Sequence, residues 1–340
     1  MNDAILRVEG LNMVFHAGKA RIHAVNDVSF SVRKGETIGV VGESGCGKTT
    51  LGRCVVRAYE PTSGHVYYTA EDGKEHDLTT LDKRTLRSLR KEIQMIFQDP
   101  FASLDPRMTV FDIISEPLTA NFPKMPRAEK ERMVQAVAEK VGLNPSYLKR
   151  YPHAFSGGQR QRIGIARALI MKPRLIICDE AVSALDVSVQ AQVVNLLRDL
   201  QRDMGLTYLF ISHDLSVVEH ISDRVGVMYL GRLVEYAPTD ELFARPLHPY
   251  TEALLSAVPV ADPKVSFERI ALKGEIPNPA NAPSGCSFHT RCRYAAPECS
   301  AQAPSLATPE EGRLCACMRY KELSLRGMKE NLSRQENHNQ

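Results

Sequence analysis

The eight residues Gly42-Glu43-Ser44-Gly45-Cys46-Gly47-Lys48-Thr49 constrain this chain more than any other stretch. They fit the pattern of a glycine, four residues, then glycine, lysine and serine or threonine. They lie between an apolar run, Thr37-Ile38-Gly39-Val40-Val41, and a helical pattern from Thr49 onward. That strand–loop–helix context is what the pattern needs in order to bind phosphate. Glycines let successive backbone N–H groups converge on phosphate oxygens, and the helix N-terminus adds the positive end of its dipole. Lys48 would reach the β- and γ-phosphates, and the Thr49 hydroxyl would ligate Mg²⁺. Average residue usage produces such an octet by chance with a probability of roughly 1% in a chain of this length. A nucleotide site is the stronger reading.

Other apolar runs fit the same architecture. Val25 to Val32 alternates in part, while Leu175-Ile176-Ile177-Cys178 and Tyr208-Leu209-Phe210-Ile211 read as buried strands. A helical pattern from Val189 to Leu200 separates the last two. Strands alternating with helices predict an α/β fold with a mostly parallel sheet covered on both faces. Between Asp99 and Arg150 helical periodicity takes over, as with Met133, Val137 and Val141, so this region reads as a helical insertion. Beyond Ala244 ten of the 20 prolines fall between Pro246 and Pro309, which excludes long helices and central strands there. With 340 residues, the chain fits one large domain plus an extension. Its formal net charge of +3 gives no support to a dedicated nucleic-acid binder. No run approaches the roughly 18 apolar residues of a membrane span. The start MNDAILRVEGLNMVF lacks the basic flank and long apolar stretch of a signal peptide, so a cytoplasmic chain is expected.

Asp179-Glu180 ends the strand-like run Leu175–Cys178. In a parallel sheet the C-terminal strand ends meet the ligand crevice, which places this pair near the phosphates. Asp179 could hold Mg²⁺ and Glu180 could polarise the attacking water. Further motifs carry a family resemblance. Phe155-Ser156-Gly157-Gly158-Gln159-Arg160-Gln161-Arg162 resembles the signature motif of ABC-transporter ATPases. Gln98, in Ile96-Phe97-Gln98-Asp99-Pro100, resembles their Q-loop, and Ser183-Ala184-Leu185-Asp186 their D-loop. His213, in Ile211-Ser212-His213-Asp214, resembles the switch histidine, and Phe15 stands where the family has an adenine-stacking aromatic. Each motif alone means little. Their family order from about Leu6 to Glu235 makes coincidence negligible. One departure is Ala181, where the family usually has proline; a small change in loop stiffness is expected, with no lost chemistry.

The resemblance implies a RecA-like parallel-sheet core with antiparallel β and helical subdomains and a Pro/Cys-rich C-terminal extension. It implies an ATPase domain over 1–245 with its helical insertion at about 99–165, an extension over 246–320 and a polar tail over 321–340. ATP would be bound by Phe15, the loop Gly42–Thr49, Thr50 and Asp179; Mg²⁺ by Thr49, Gln98 and Asp179. Glu180, His213 and Gln98 would be catalytic. Ser156, Gly157, Gly158 and Gln159 would act in trans, on nucleotide held by a second ATPase subunit. One subunit alone then lacks half of each site.

Asp179 to Ser188, Asp214 to Val218 and His248-Pro249-Tyr250-Thr251 resemble more narrowly the ATPase subunits of oligopeptide and dipeptide importers, specifically the second of their two paralogues. Partners implied are a second ATPase subunit, two transmembrane permeases docking on the helical insertion and Gln98 loop, and an external solute-binding protein. The implied place is the cytoplasmic face of the membrane. Relatives with these motifs also move nickel, glutathione or other small solutes. A soluble ABC ATPase acting on nucleic acid or ribosomes is the alternative of another class, but this chain has neither a long coiled coil nor a second cassette.

Cys286, Cys292, Cys299 and Cys317 are separated by five, six and seventeen residues. A reducing cytoplasm disfavours disulfides, and zinc prefers tighter Cys pairs, although Cys286 and His289 could contribute. The four match the importer family's C-terminal pattern G-C-x-F-x-x-R-C, a further Cys, then A-C; in several relatives these cysteines hold a 4Fe-4S cluster. Iron–sulfur, zinc and plain structural thiols all remain open, as does Cys315 in place of Cys317. Cys46, Cys54 and Cys178 read as inert packing.

Overall fold

A computed structural model describes residues 4–18, 20–99, 102–258 and 269–328. Pro100 of the Gln98 motif, the first three residues and the tail from 329 onward lie outside the described residues. Strands β1 (Ala4–Ala17) and β2 (Ala20–Arg33) form a long antiparallel ribbon pairing Val8 with Phe30 and Leu11 with Val28. The partial alternation after Val25 is half of this longer strand. β3 (Thr37–Val41) is buried throughout and runs into the phosphate loop and α1 (Lys48–Val55). The chain then returns to β1 through β4 (Ser63–Thr69), with β5 (Glu75–Asp77) at its edge, closing a four-stranded antiparallel sheet in the order β2-β1-β4-β5.

After α2 (Lys83–Leu89), β6 (Ile93–Ile96) enters the main sheet. The helical insertion follows as α3 (Val110–Asn121), α4 (Arg127–Lys140) and α5 (Gly157–Leu169). β7 (Leu175–Asp179), α6 (Val187–Met204), β8 (Thr207–Ile211), α7 (Leu215–Ile221) and β9 (Arg224–Tyr229) complete the parallel core. β9, β3, β8, β7 and β6 lie side by side and parallel. Successive side chains point to opposite faces, and both faces are covered, so β3, β7 and β8 read as continuous apolar runs. Leu175 and Ile177 face one core, shared with Leu6, Leu11 and Leu51 under the antiparallel sheet. Ile176 and Cys178 face a second core, shared with Ile163, Val193 and Leu197 of the helices.

β10 (Arg232–Pro238) turns antiparallel on β9, and α8 (Thr239–Ala244) and α9 (Pro249–Leu255) lead into the extension. Beyond α10 (Pro297–Ala301), β11 (Ala307–Glu310) and β12 (Arg313–Cys315) lengthen the main sheet to eight strands. β12 pairs with β10 through Glu235–Cys315 and Tyr236–Leu314. Pro309 falls in β11, the sheet's edge, where its missing N–H breaks no ladder bond. The extension therefore borrows the main sheet for its core. Phe288, 2% exposed, packs on Tyr229 of β9 and Tyr250 of α9.

Candidate active site

The phosphate loop holds its shape through glycines in backbone regions that L residues avoid. Gly47 has φ +106°, and a Cβ there would meet the Ala24 carbonyl oxygen at 2.0 Å. Gly42 has φ +152°, and its Cβ would meet the Met228 carbonyl oxygen at 2.2 Å. Neighbouring backbone therefore presses on the loop from outside, and only glycine fits both the torsion and the space. Lys48 is buried, its Nζ donating to the Gly42 carbonyl at 2.7 Å and the Glu43 carbonyl at 3.0 Å. Cys46 is buried beneath the loop, whereas Ser44 and Gly45 are exposed at its crown and Thr50 is half-buried in α1.

Asp179 ends β7 beside this loop and accepts a hydrogen bond from Thr49 Oγ1 at 2.7 Å. Burial raises the Asp179 carboxyl above its ordinary range despite that bond and the nearby Arg53 and Lys48 charges. Glu180 follows in the left-handed region at φ +47°, a strained conformation for a residue with a Cβ. Its carboxylate accepts from Gln98 Nε2 at 2.7 Å and lies 3.5 Å from His213 Nδ1. Gln98 from the end of β6, Glu180 from the end of β7 and His213 from the end of β8 thus meet, although 82 residues separate Gln98 from Glu180. Three parallel strands ending in one crevice bring them together.

Phe15 stands on β1 with its ring edge against Tyr59 at 5.5 Å between centroids. Tyr59 in turn accepts from Arg53 Nη1 at 2.8 Å, a neighbour of the candidate adenine position that sequence patterning did not single out. Glu43, expected among the loop's ATP ligands, donates its N–H to Tyr250 Oη and accepts through its carboxylate from Arg291. No local pattern signals those partners, because they come from 207 and 248 residues away.

The signature lies on another exposed face. Ser156 caps α5 in a capping box, Gln159 N donating to Ser156 Oγ and Ser156 N to Gln159 Oε1. Ser156 and Gln159 are exposed, as are Ala184 and Asp186 of the neighbouring Ser183–Asp186 turn, while Leu185 is half-buried. A Cβ on Gly158 would sit 2.3 Å from Val189 Cγ1, so glycine lets α5 press against α6. Ala181 is buried at 2%.

Cys286, Cys292, Cys299 and Cys317 border one small cavity together with His289. Burial pushes Cys292 up to about 11 and Cys317 up to about 12, and the other three thiols of the set add to the rise at Cys317. Cys315 points instead into the core of β12, fully buried. Among the described residues no group of three or more His, Cys, Asp or Glu side chains is disposed to hold a metal ion. Cys46, Cys54 and Cys178 are buried.

Residues 25–183 match the family model for ABC transporters, and residues 234–299 match that for the oligopeptide/dipeptide transporter C-terminal region. The chain is similar to the oligopeptide transport ATP-binding protein AppF of Bacillus subtilis, 56% identical over 302 residues covering 88% of this chain and 90% of that protein. It is 57% identical over 287 residues to the oligopeptide transport ATP-binding protein OppF of Escherichia coli, covering 84% of each. It is also 53% identical over 320 residues to the putative oligopeptide transport ATP-binding protein YkfD of Bacillus subtilis, covering 93% and 96%. Among solved structures, the dimeric ATP-binding cassette MJ0796 bound to ADP and Pi superposes with a TM-score of 0.62 at 25% identity, covering 69% of this chain and 98% of that one. With the loop, the Asp179-Glu180 strand end, the exposed signature and a matched C-terminal region in one chain, this protein belongs to the family of ATP-binding proteins of oligopeptide-type ABC transporters.

Proposed function

We propose that this chain is the ATP-hydrolysing subunit of an importer that carries di- and oligopeptides across the cytoplasmic membrane. The observation that carries the reading is the meeting of Gln98 and His213 on Glu180, next to the Thr49–Asp179 pair. Thr49, Asp179 and Gln98 would hold Mg²⁺, which draws charge from the β- and γ-phosphates when bound. Loop N–H groups and Lys48 cradle those phosphates, and Phe15 stacks on adenine. Glu180 orients and deprotonates the attacking water, with Gln98 and His213 fixing its carboxylate. Ser156, Gly157, Gly158 and Gln159 complete the site of a second ATPase subunit, and Ser183–Asp186 lies across the same junction.

Among the described residues no helix is long and apolar enough to cross a membrane. Two permease subunits would hold the chain at the cytoplasmic face. Phe97, 43% exposed beside Gln98, supports docking at the helical insertion. An external solute-binding protein would deliver the peptide; nucleic acid has no part in this reading. The domain bounds at 245 and 320 belong to it too, with β11 and β12 as the extension's anchor in the ATPase sheet. Cells lacking the chain should lose uptake of labelled tripeptides, regained with wild type and not with Lys48→Ala. Unchanged tripeptide uptake with lost nickel or glutathione uptake would move the reading to another solute.

For the cysteines, the same reading takes Cys286, Cys292, Cys299 and Cys317 as holders of a 4Fe-4S cluster. These side chains are not set around a single metal ion as they stand, but all four thiols border one cavity, and such soft ligands suit an iron–sulfur cluster better than a hard cation. The cluster would staple the turns of the extension. Iron and sulfide analysis of anaerobically purified protein tests this: about one zinc and no iron per chain, or no metal at all, would reject it.

A further inference from the structure

Glu43 faces two ways. Its carbonyl oxygen belongs to the loop, accepting from Lys48 Nζ at 3.0 Å and from Cys46 N at 3.2 Å. Its other polar groups belong to the C-terminal part of the chain. The Glu43 N–H donates to Tyr250 Oη at 2.8 Å. Its carboxylate takes a bidentate pair of hydrogen bonds from Arg291, Nη1 to Oε2 at 2.6 Å and Nη2 to Oε1 at 3.0 Å. Two parallel N–H···O bonds fix direction as well as distance.

The grip is built on rigid ground. Arg291 is 6% exposed, in a turn where its N–H donates to the Phe288 carbonyl at 3.0 Å. Phe288 lies with its ring centroid 5.2 Å from that of Tyr229 and 5.3 Å from that of Tyr250. The same aromatic cluster therefore seats both partners of Glu43. The loop, by contrast, is rich in glycine. Gly42, Gly45 and Gly47 all have positive φ and no side chain to pack. Ordering such a segment around a nucleotide costs conformational entropy unless it is ordered beforehand.

We propose that Arg291, together with Tyr250, is a positioning residue for nucleotide: the C-terminal extension clamps the phosphate loop through Glu43 and thereby sets its affinity. The proposal rests on the reading of Gly42–Thr49 as an ATP site. It differs from a mere tie between domains because the clamped residue also carries a carbonyl that holds Lys48.

Calorimetry with Mg²⁺–ADP on the purified full-length chain tests it, with thermal midpoints measured alongside. Arg291→Gln and Glu43→Gln should each weaken binding by about 10–100-fold, the scale of a loop displaced by about 1 Å. The double variant should bind no more weakly than the worse single one, because both remove the same contact. Arg291→Lys should regain part of the loss. Affinity unchanged in Arg291→Gln, with or without a lower midpoint, would overturn the proposal, as would additive losses in the double variant. Should Arg291→Gln fail to fold, Tyr250→Phe removes only the hydroxyl that accepts the Glu43 N–H, and several-fold weaker binding is expected. Wild-type affinity there would equally overturn it. A folded wild-type chain that binds no Mg²⁺–ADP would instead overturn the ATP reading, and the clamp with it.

Discussion

Glu180 stands in the left-handed region at φ +47°, where an L residue is disfavoured by about 1–2 kcal/mol. Its N–H donates to the Ile211 carbonyl at 2.9 Å, and its own carbonyl accepts from Ser183. The surroundings thus hold the residue in a conformation that the chain would not choose locally, with its carboxylate turned towards Gln98 and His213. Glu180→Gln keeps the volume and the Gln98 side but removes the proton acceptor. In the assembled transporter it should bind ATP as wild type does and lower turnover by on the order of 10²–10⁴-fold. Near wild-type hydrolysis would remove Glu180 from the base role. Gly47→Ala acts on the cradle instead: the added Cβ collides with the Ala24 carbonyl oxygen, so nucleotide binding and turnover should fall together. Equilibrium binding separates the two variants. Unimpaired binding by the folded alanine variant would mean that the loop can shift away from Ala24.

At the scale of elements, β3, β7 and β8 of the parallel core were legible because each is buried throughout and so carries an apolar run. By contrast, β6 interrupts its run with the half-buried Gln94, and β9 opens on Arg224. Leu175 to Cys178 and Tyr208 to Ile211 could hardly be anything else at that length. The C-terminal strands were not legible. β11 and β12 have four and three residues, too few for any period, and their stability comes from partners far away in sequence. The main one is the buried pair of Arg313, 1% exposed at its side chain, and Glu235, 0% exposed, at 3.5 Å. Glu235 also accepts the Leu247 and His248 N–H groups, so one carboxylate joins β10, the start of α9 and β12. Removing one member of a buried pair leaves the other uncompensated, typically a loss of about 3–5 kcal/mol. Arg313→Ala should therefore show a markedly lower urea midpoint and early proteolysis beyond residue 245. A midpoint within error of wild type would mean that the two backbone donors suffice for Glu235.

At the scale of the whole molecule, the signature is an exposed face that the proposed function assigns to another subunit. Ser156 and Gln159 bond to each other in the capping box and leave their outer faces to solvent, beside the exposed Ala184 and Asp186. Gly158 lets α5 approach α6 at Val189, and Gly157 lies near Leu185, so the signature and the Ser183–Asp186 turn pack side by side. A surface so prepared and left uncovered predicts a weak ATPase in the isolated chain. It also makes the identity of the partner testable. Ser156→Arg spoils the face that a subunit offers, and Lys48→Ala spoils the loop that it holds. In a symmetric homodimer, an equal mixture of the two variants gives some dimers with one intact loop facing one intact signature, and about a quarter of wild-type activity returns if sites act independently. In a pair of unlike subunits, both variants compete for the same place, and no mixture regains activity. Purified wild-type paralogue should then raise hydrolysis by this chain, and the Ser156→Arg variant should fail to stimulate the paralogue's own site while its loop still turns over. Full stimulation by Ser156→Arg would mean that the signature does not reach across the junction.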